Sequence, residues 1–394
     1  MMKKHNLRLK KVATILVVLI TILSMAVVPS AQACSRLVYK SPKGPITARS
    51  MDWFHQPDAK LWVFPKGMER NGGAGTNSIT WTSKYGSIIT SSYDIATVDG
   101  INDQGLVANL LFLEETDYGT IEPCENTLSV GGWGQYVLDN YATVAEAVEA
   151  LEAKPFEIVT ATFNQLFNAN LISEDTLPKP LIPLMGELKF GLHLALSDTS
   201  GDSAIFEYID GELKVHHSRK YDVLTNDPTF NKQVEIKDYW EPIYTNKNPV
   251  TNQLFLPGSN SSSDRFVRAS YYLDAMHKKE FIQQKKKRRN ELAAALGIIR
   301  NVSDPLGLDS FAFTTTQWRT VASQNKNPKR LAYFFEYTKS PNLFWVMMSK
   351  LKLEEGADVM VLEKIDDINF AGEVSGHFQD SAPFSWDISA TMNN

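Results

Sequence analysis

Ala31-Gln32-Ala33-Cys34-Ser35-Arg36-Leu37-Val38-Tyr39-Lys40 is the stretch from which the rest of the chain can be read. Upstream of it, Lys3, Lys4, Arg8, Lys10 and Lys11 precede an apolar run from Val12 to Val28, which Pro29 and Ser30 break. A basic start, an apolar run and a small-x-small ending spell an export signal, with cleavage expected between Ala33 and Cys34. The run sits at the short edge of the ~17–25 residues that a membrane-spanning helix needs. Cleavage would leave Cys34 first, with a thiol and a free α-amino group on one residue. A lipoprotein signal also ends before a cysteine, although Ala31 and Gln32 fit its usual positions poorly. That competing reading makes the chain a lipid-anchored binding protein whose Cys34 sulfur is blocked.

Removing residues 1–33 from the 394 leaves 361, expected as a single domain over 34–394, since no repeats or low-complexity linkers interrupt it. It also takes five cations and no anion away, moving the formal net charge from −5 to about −10. Such an acidic surface argues against nucleic acid as a partner. No second apolar run approaches a membrane span, so no membrane association is expected after cleavage. The basic run Lys285–Arg289 heads a helical stretch and reads as a solvated helix face. Cys34 and Cys124 are the only cysteines. They form either one disulfide or a free nucleophile beside an unpaired, inert Cys124. His216 and His217 adjoin on a strand, so they face opposite sides, and no third ligand accompanies them; neither metal nor cofactor is expected.

From Cys34 onward the pattern is of strands. Ser35–Lys40 alternates, Pro42-Lys43-Gly44-Pro45 turns, and Ile46–Trp53 returns, which makes a hairpin with Cys34 at its open end. Arg49 and Asp52 on the return strand can thus come back beside it. Asn71–Asn77, rich in glycine, reads as a flexible loop, and strands follow at Ser87–Ser92 and Gly105–Leu113. Helices are expected at Gly131–Asn140 and after Thr143, where Thr143-Val144-Ala145-Glu146 spells a capping box. Strands resume at Gly191–Leu196, Ala204–Ile209, Leu213–His217 and Tyr221–Thr225; helices are read at Asp264–Lys278 and Lys286–Asn301. Three more strands, Phe313–Val321, Leu331–Thr338 and Leu343–Met348, close the pattern. Blocks of strands alternating with helical pairs point to an α+β fold of packed sheets covered by helices, not to βαβ repetition.

Amide hydrolysis needs an activated nucleophile, a proton acceptor and donors aimed at a developing oxyanion. A cleaved Cys34 supplies the first two, because an α-amine titrates near pH 8 and a thiol beside a guanidinium ionises more readily. Cys34-Ser35-Arg36, followed by Arg49-Ser50-Met51-Asp52-Trp53, resembles the choloylglycine hydrolase family of N-terminal-nucleophile cysteine amidases. Three further blocks agree in order: Asp99-Gly100-Ile101-Asn102 with Gly105-Leu106, Leu224–Phe230 with Asn226 inside it, and Leu256-Pro257-Gly258 leading to Ser263-Asp264-Arg265-Phe266.

The resemblance implies an αββα sandwich, two stacked mainly antiparallel sheets between helical layers. It implies Cys34 as nucleophile, Arg49 beside the thiolate, Asp52 as the group orienting the amine, Asn226 as oxyanion donor and Arg265 as support for Asp52. Taken alone, Arg49 would read as a strand-edge ion pair, Asp52 as a solvent-facing carboxylate and Asn226-Asp227-Pro228 as a turn. Arg265 falls in a first helical turn, where a cation opposes the dipole, which calls for a carboxylate or ligand partner. Trp53 is expected to line an acyl pocket or to be a core tryptophan, and Met51 and Phe112 are added as pocket candidates. Phe112 departs from the family pattern, which carries a polar side chain there.

The interval from Asn226 to Arg265 is 39 residues, shorter than in bile salt hydrolases, where an inserted assembly segment lies. That points toward the exported penicillin V acylase branch, with aryl- or fatty-acyl amides as small-molecule substrates, N-acyl homoserine lactones among them. Conjugated bile salts are the alternative. The family precedent of a homo-tetramer carries over only if the shortened segment still permits it. The place of action is expected to be the periplasm or the exterior.

Overall fold

The computed structural model describes residues 34–120, 126–177, 179, 182–245, 254–278, 287–306 and 314–392. Ser35–Tyr39 (β1) and Ile46–Trp53 (β2) form the hairpin read from the sequence, with Ser35 opposite Ser50 and Tyr39 opposite Ile46. Every residue of both strands is buried, as happens when a sheet is covered on both faces. They belong to a seven-stranded sheet ordered Val223–Thr225 (β14), β1, β2, Thr315–Ser323 (β15), Ala332–Tyr337 (β16), Phe344–Met347 (β17) and Gly372–Glu373 (β19). Its pairs are antiparallel except β17 with β19.

A second, wholly antiparallel sheet stacks on it. Its nine strands run Glu212–His217 (β13), Ser203–Ile209 (β12), Leu192–Ser197 (β11), Val107–Phe112 (β8), Ala96–Asn102 (β7), Ser87–Ser92 (β6), Leu61–Phe64 (β3), Met360–Leu362 (β18) and Gln379–Asp380 (β20). Two small ribbons stand apart: Glu69–Asn71 (β4) with Thr80–Thr82 (β5), and Thr127–Ser129 (β9) with Glu157–Val159 (β10).

Helices close both outer faces. Val130–Asn140 (α1) and Val144–Glu152 (α2) bury Trp133, Val137, Leu138 and Leu151 against Leu110, Leu194 and Phe206 of the nine-stranded sheet. Phe163–Asn168 (α3) and, after a single helical turn at Ile182–Met185, Phe230–Thr245 (α4) follow in the chain. Ser262–Met276 (α5) and Arg288–Asn301 (α6) then bury Phe266, Leu273, Ala295 and Ile299 over Leu37, Ala48 and Val321. Helix, sheet, sheet, helix is the αββα sandwich. Between the sheets runs a polar seam. Arg36 donates to Asn109 (3.1 Å) and to the Leu196 carbonyl (2.8 Å), while Thr320 and Tyr333 donate to Asp99 (2.7 and 2.8 Å). Buried polar groups need such partners, so the seam fixes how the sheets register on one another.

The structure departs from the sequence reading at several points. The α2 cap is half a box: Thr143 accepts from the Glu146 N–H, but the Glu146 carboxylate accepts from Ala142 N rather than from Thr143. Val223 opens β14 two residues late, because Tyr221 N–H is turned onto the Ser218 carbonyl. Helix α4 was not foreseen. Asn71–Asn77 is not a free loop: Gly72, Gly73 and Ala74 are buried, and the Asn71 and Gly73 carbonyls accept from Trp386 and Ile388 of the C-terminal segment. In the basic run Arg288 is drawn inward, donating to the Gly44 and Pro45 carbonyls (2.6 and 2.8 Å) of the hairpin turn. Cys124, Lys285, Lys286 and residues 1–33 lie outside the described residues.

Candidate active site

Cys34 stands at the end of β1, flanked on both sides by paired strands. The β1–β2 register sets it opposite Met51, and the β1–β14 register, Ser35 opposite Thr225, brings Asn226 alongside. Strand alternation puts the Cys34 side chain on the inter-sheet face with Arg36, Arg49 and Met51. Its Sγ lies 3.7 Å from Arg49 Nη2, 3.7 Å from Met51 Sδ and 3.9 Å from the Asp52 carbonyl oxygen.

Arg49 is buried and held rigidly. It donates to the carbonyls of Leu110 (2.7 Å) and Val98 (3.1 Å), touches Met51 Sδ at 3.1 Å, and lies 3.6 Å from Asp99. The Trp318 ring, with its centroid 4.9 Å from the guanidinium carbon, closes the other side. Burial pushes the Cys34 thiol up from its ordinary value; the Arg49 charge pulls against that.

Asp52 points to the opposite, helix-covered face of β2. There Arg265 of α5 and Thr316 of β15 both donate to its carboxylate, one to each oxygen. A bulge between Thr316 and Trp318 shifts the β15 register and sets Thr316 opposite Asp52. Arg265 also approaches Asp304 at 3.9 Å, so the cation in the first turn of α5 has two buried carboxylate neighbours. Burial, and the nearby Asp52 charge, push the Asp304 carboxyl up to about 6, with Arg265 and Thr314 opposing.

Asn226 is buried, and its side-chain oxygen makes no hydrogen bond among the described residues. The turn it opens is held by Gln233 instead, which donates to the carbonyls of Asn226 (3.0 Å) and Pro228 (2.6 Å). The Asn226 side-chain oxygen is thus unpaired among the described residues, and the β1–β14 register carries the residue to the place opposite Cys34.

An almost wholly apolar cavity opens at Cys34. Met51, Trp53, Phe112, Phe190 and Ile388 help to wall it, and Arg49 and Cys34 are part of its lining. The Trp53 ring lies near Phe190 (6.3 Å, stacked) and Phe112 (6.4 Å), and its Nε1–H is satisfied by the Tyr93 hydroxyl at 2.8 Å. Thus all eight sequence-named residues fall in one neighbourhood, divided between the cavity face and the Asp52 face of the hairpin. The family model described as linear amide C–N hydrolases, choloylglycine hydrolase family, matches residues 34–362. The chain belongs to the choloylglycine hydrolase family.

The chain is 40% identical to a penicillin V acylase of Pectobacterium atrosepticum over 98% of its own length and 99% of the relative's. It superposes on the structure of a penicillin V acylase from Agrobacterium tumefaciens with a TM-score of 0.73 at 42% identity, covering 89% of this chain and 99% of that one. A conjugated bile acid hydrolase from Clostridium perfringens shares the fold, with a TM-score of 0.66 at 20% identity over 86% of this chain and 98% of that one. Like the rest of the choloylglycine hydrolase family, the chain is a hydrolase of linear carbon–nitrogen bonds.

Within that family frame, sequence reasoning missed Thr316, Asp304, Asp99, Tyr93, Phe190 and Ile388. Asp99 lay inside a quoted block but was not given a place. Thr316 and Asp304 had no local signal, because Thr316 meets Asp52 only through a strand pairing across 264 residues and Asp304 meets Arg265 only through tertiary packing.

Proposed function

We propose that the chain is the precursor of an exported N-terminal-nucleophile cysteine amidase, activated by cleavage between Ala33 and Cys34. One observation carries the reading: the Cys34 sulfur lies 3.7 Å from the Arg49 guanidinium in the lining of an apolar cavity. A thiolate there is stabilised by a fixed cation while an acyl group fills the cavity.

The Cys34 thiolate attacks the amide carbonyl carbon, and Asn226 with the Phe112 backbone N–H holds the oxyanion. The carbon–nitrogen bond breaks, the freed Cys34 α-ammonium gives its proton to the departing amine, and a thioester remains. Water then adds to the thioester with the α-amine as base, releasing the acid and the thiol. Asp52 serves the amine rather than the sulfur, since its carboxylate lies on the face of β2 away from the thiol. Arg265 and Thr316 hold that carboxylate in place.

The substrate class is amides of aryl- or fatty-acyl groups, phenoxymethylpenicillin and N-acyl homoserine lactones included. Two relatives named as penicillin V acylases at about 40% identity support this. The lining supports it too, because a hydroxylated steroid would leave its hydroxyl groups without partners in an apolar cavity.

The test combines intact mass of the secreted protein with hydrolysis assays on penicillin V, an acyl homoserine lactone and glycocholate. An unmodified mature terminus at Cys34, burst release of the amine product and loss of all activity in Cys34→Ala are expected. A diacylglyceryl adduct on Cys34, or an active Cys34→Ala enzyme, refutes the reading. Faster turnover of glycocholate than of the other two moves the enzyme to the bile salt branch.

A further inference from the structure

The family match ends at residue 362, yet the chain continues to a segment that returns to the cavity. Trp386 is buried, donates from Nε1 to the Asn71 carbonyl at 2.8 Å, and stacks on Trp81 with centroids 6.1 Å apart. Ile388 N–H donates to the Gly73 carbonyl at 2.8 Å, and Gly75 N–H donates to Ser389 Oγ at 2.9 Å. The fit is tight enough to dictate glycine on both sides. A Cβ at Gly73, whose φ is +68°, would meet the Trp386 carbonyl oxygen at 2.8 Å. A Cβ at Gly132 would stand 2.8 Å from Trp386 Nε1. The segment is thus wedged between the 71–75 loop and the start of α1, and its position is over-determined. At its centre the Ile388 side chain, 5% exposed, forms part of the wall of the cavity that holds Cys34.

We propose that residues 384–391 form a fixed strap and that Ile388 is a specificity-determining residue, setting how much acyl group the cavity accepts. The proposal rests on the acyl-amide reading above. Ile388 contributes only hydrocarbon, touches none of the groups assigned to bond making, and is held by main-chain hydrogen bonds that do not depend on its side chain. Trimming it therefore changes cavity size and leaves the strap seated. Each methylene newly buried or newly excluded changes the apparent specificity by about fourfold.

The experiment measures kcat/KM of the processed enzyme for n-alkanoyl p-nitroanilides from butanoyl to dodecanoyl. Ile388→Ala is expected to move the optimum toward longer chains by about two carbons, raising the long-to-short ratio at least tenfold. Ile388→Trp should move it toward shorter ones. Ile388→Val, one methylene smaller, is included so that an intermediate shift can be read even if the alanine variant misfolds. Ile368→Ala, at an exposed position, serves as a control with an unchanged profile. An identical chain-length profile in wild type, Ile388→Val and Ile388→Trp, at matching thermal stability, overturns the strap's role and leaves the amidase reading intact. A wild-type enzyme that cleaves no member of the series overturns both.

Discussion

Arg265 and Asp52, 213 residues apart in sequence, form an ion pair in which neither side chain is exposed. The pair ties the first turn of α5 to the end of β2, and so couples a helix of the outer layer to the strand that carries Arg49. Removing one member leaves the other charge buried without its partner, which costs about 3–5 kcal/mol. Arg265→Ala is therefore expected to lower the unfolding free energy extrapolated from urea denaturation by that amount, with the midpoint falling accordingly, and Arg265→Lys to recover little, because a point charge cannot reproduce the guanidinium geometry. An unchanged midpoint for either variant would contradict the account.

Asp304 predicts the pH dependence of the same region. Its folded value of about 6 lies above its ordinary value of 3.8, so the folded chain binds that proton more tightly than the unfolded one. The contribution is favourable at low pH and is lost as pH rises through about 6. Asp304→Asn should remove that slope, so that its advantage over wild type grows between pH 5 and pH 7.5. Parallel urea curves at the two pH values, with no difference in slope between the proteins, would count against it.

Arg49 is the cation that opposes burial of the thiol. With its guanidinium 3.7 Å from Sγ, replacement by leucine should raise the Cys34 titration midpoint further, because burial then acts with no cation opposing it. Iodoacetamide alkylation rate against pH reads this directly, independently of any substrate. Arg49→Lys is expected to resemble leucine more than wild type in turnover, since lysine cannot hold both the Val98 and Leu110 carbonyls as one planar fork. A midpoint identical to wild type in Arg49→Leu would remove Arg49 from thiol activation.

The hairpin was legible because strand alternation and a Pro-Lys-Gly-Pro turn leave only one register that buries both faces. The return of Arg49 and Asp52 beside Cys34 was legible with it, while the resemblance supplied the roles read for Arg49, Asp52, Asn226 and Arg265. The rest depended on contacts that no local pattern encodes. Helix α4 has a weak apolar face and carries Pro242, so periodicity did not mark it. Thr316 became a ligand of Asp52 only through a bulge in β15. The glycines of Asn71–Asn77 looked like freedom, whereas Gly73 makes room for Trp386 and Asp387, some 313 positions later, and Gly72 for the Thr127 carbonyl. Glycine for flexibility and glycine for close approach are identical in sequence, and only the packed partner tells them apart.

Phe112 tests the apolar lining of the cavity. It ends β8, lies next to Trp53, and is hydrocarbon at a place where the family pattern led to expectation of a polar side chain. An asparagine there would bury an amide in an apolar lining, with no partner for it when a plain acyl group is bound. An unsatisfied buried group costs about 1–3 kcal/mol, so Phe112→Asn should lower kcat/KM for decanoyl or phenoxyacetyl amides by about 5–150-fold. Most of the loss should fall on KM, because the side chain lines the acyl pocket and does not touch the bond that breaks. Amides whose acyl part carries a hydroxyl group should suffer less, since the new amide can pair with it. Steady-state kinetics on matched hydroxylated and plain acyl amides decide the matter: a uniform fall in kcat across both sets would show that the Phe112 side chain acts at the reacting bond, beside its backbone N–H, rather than in acyl recognition.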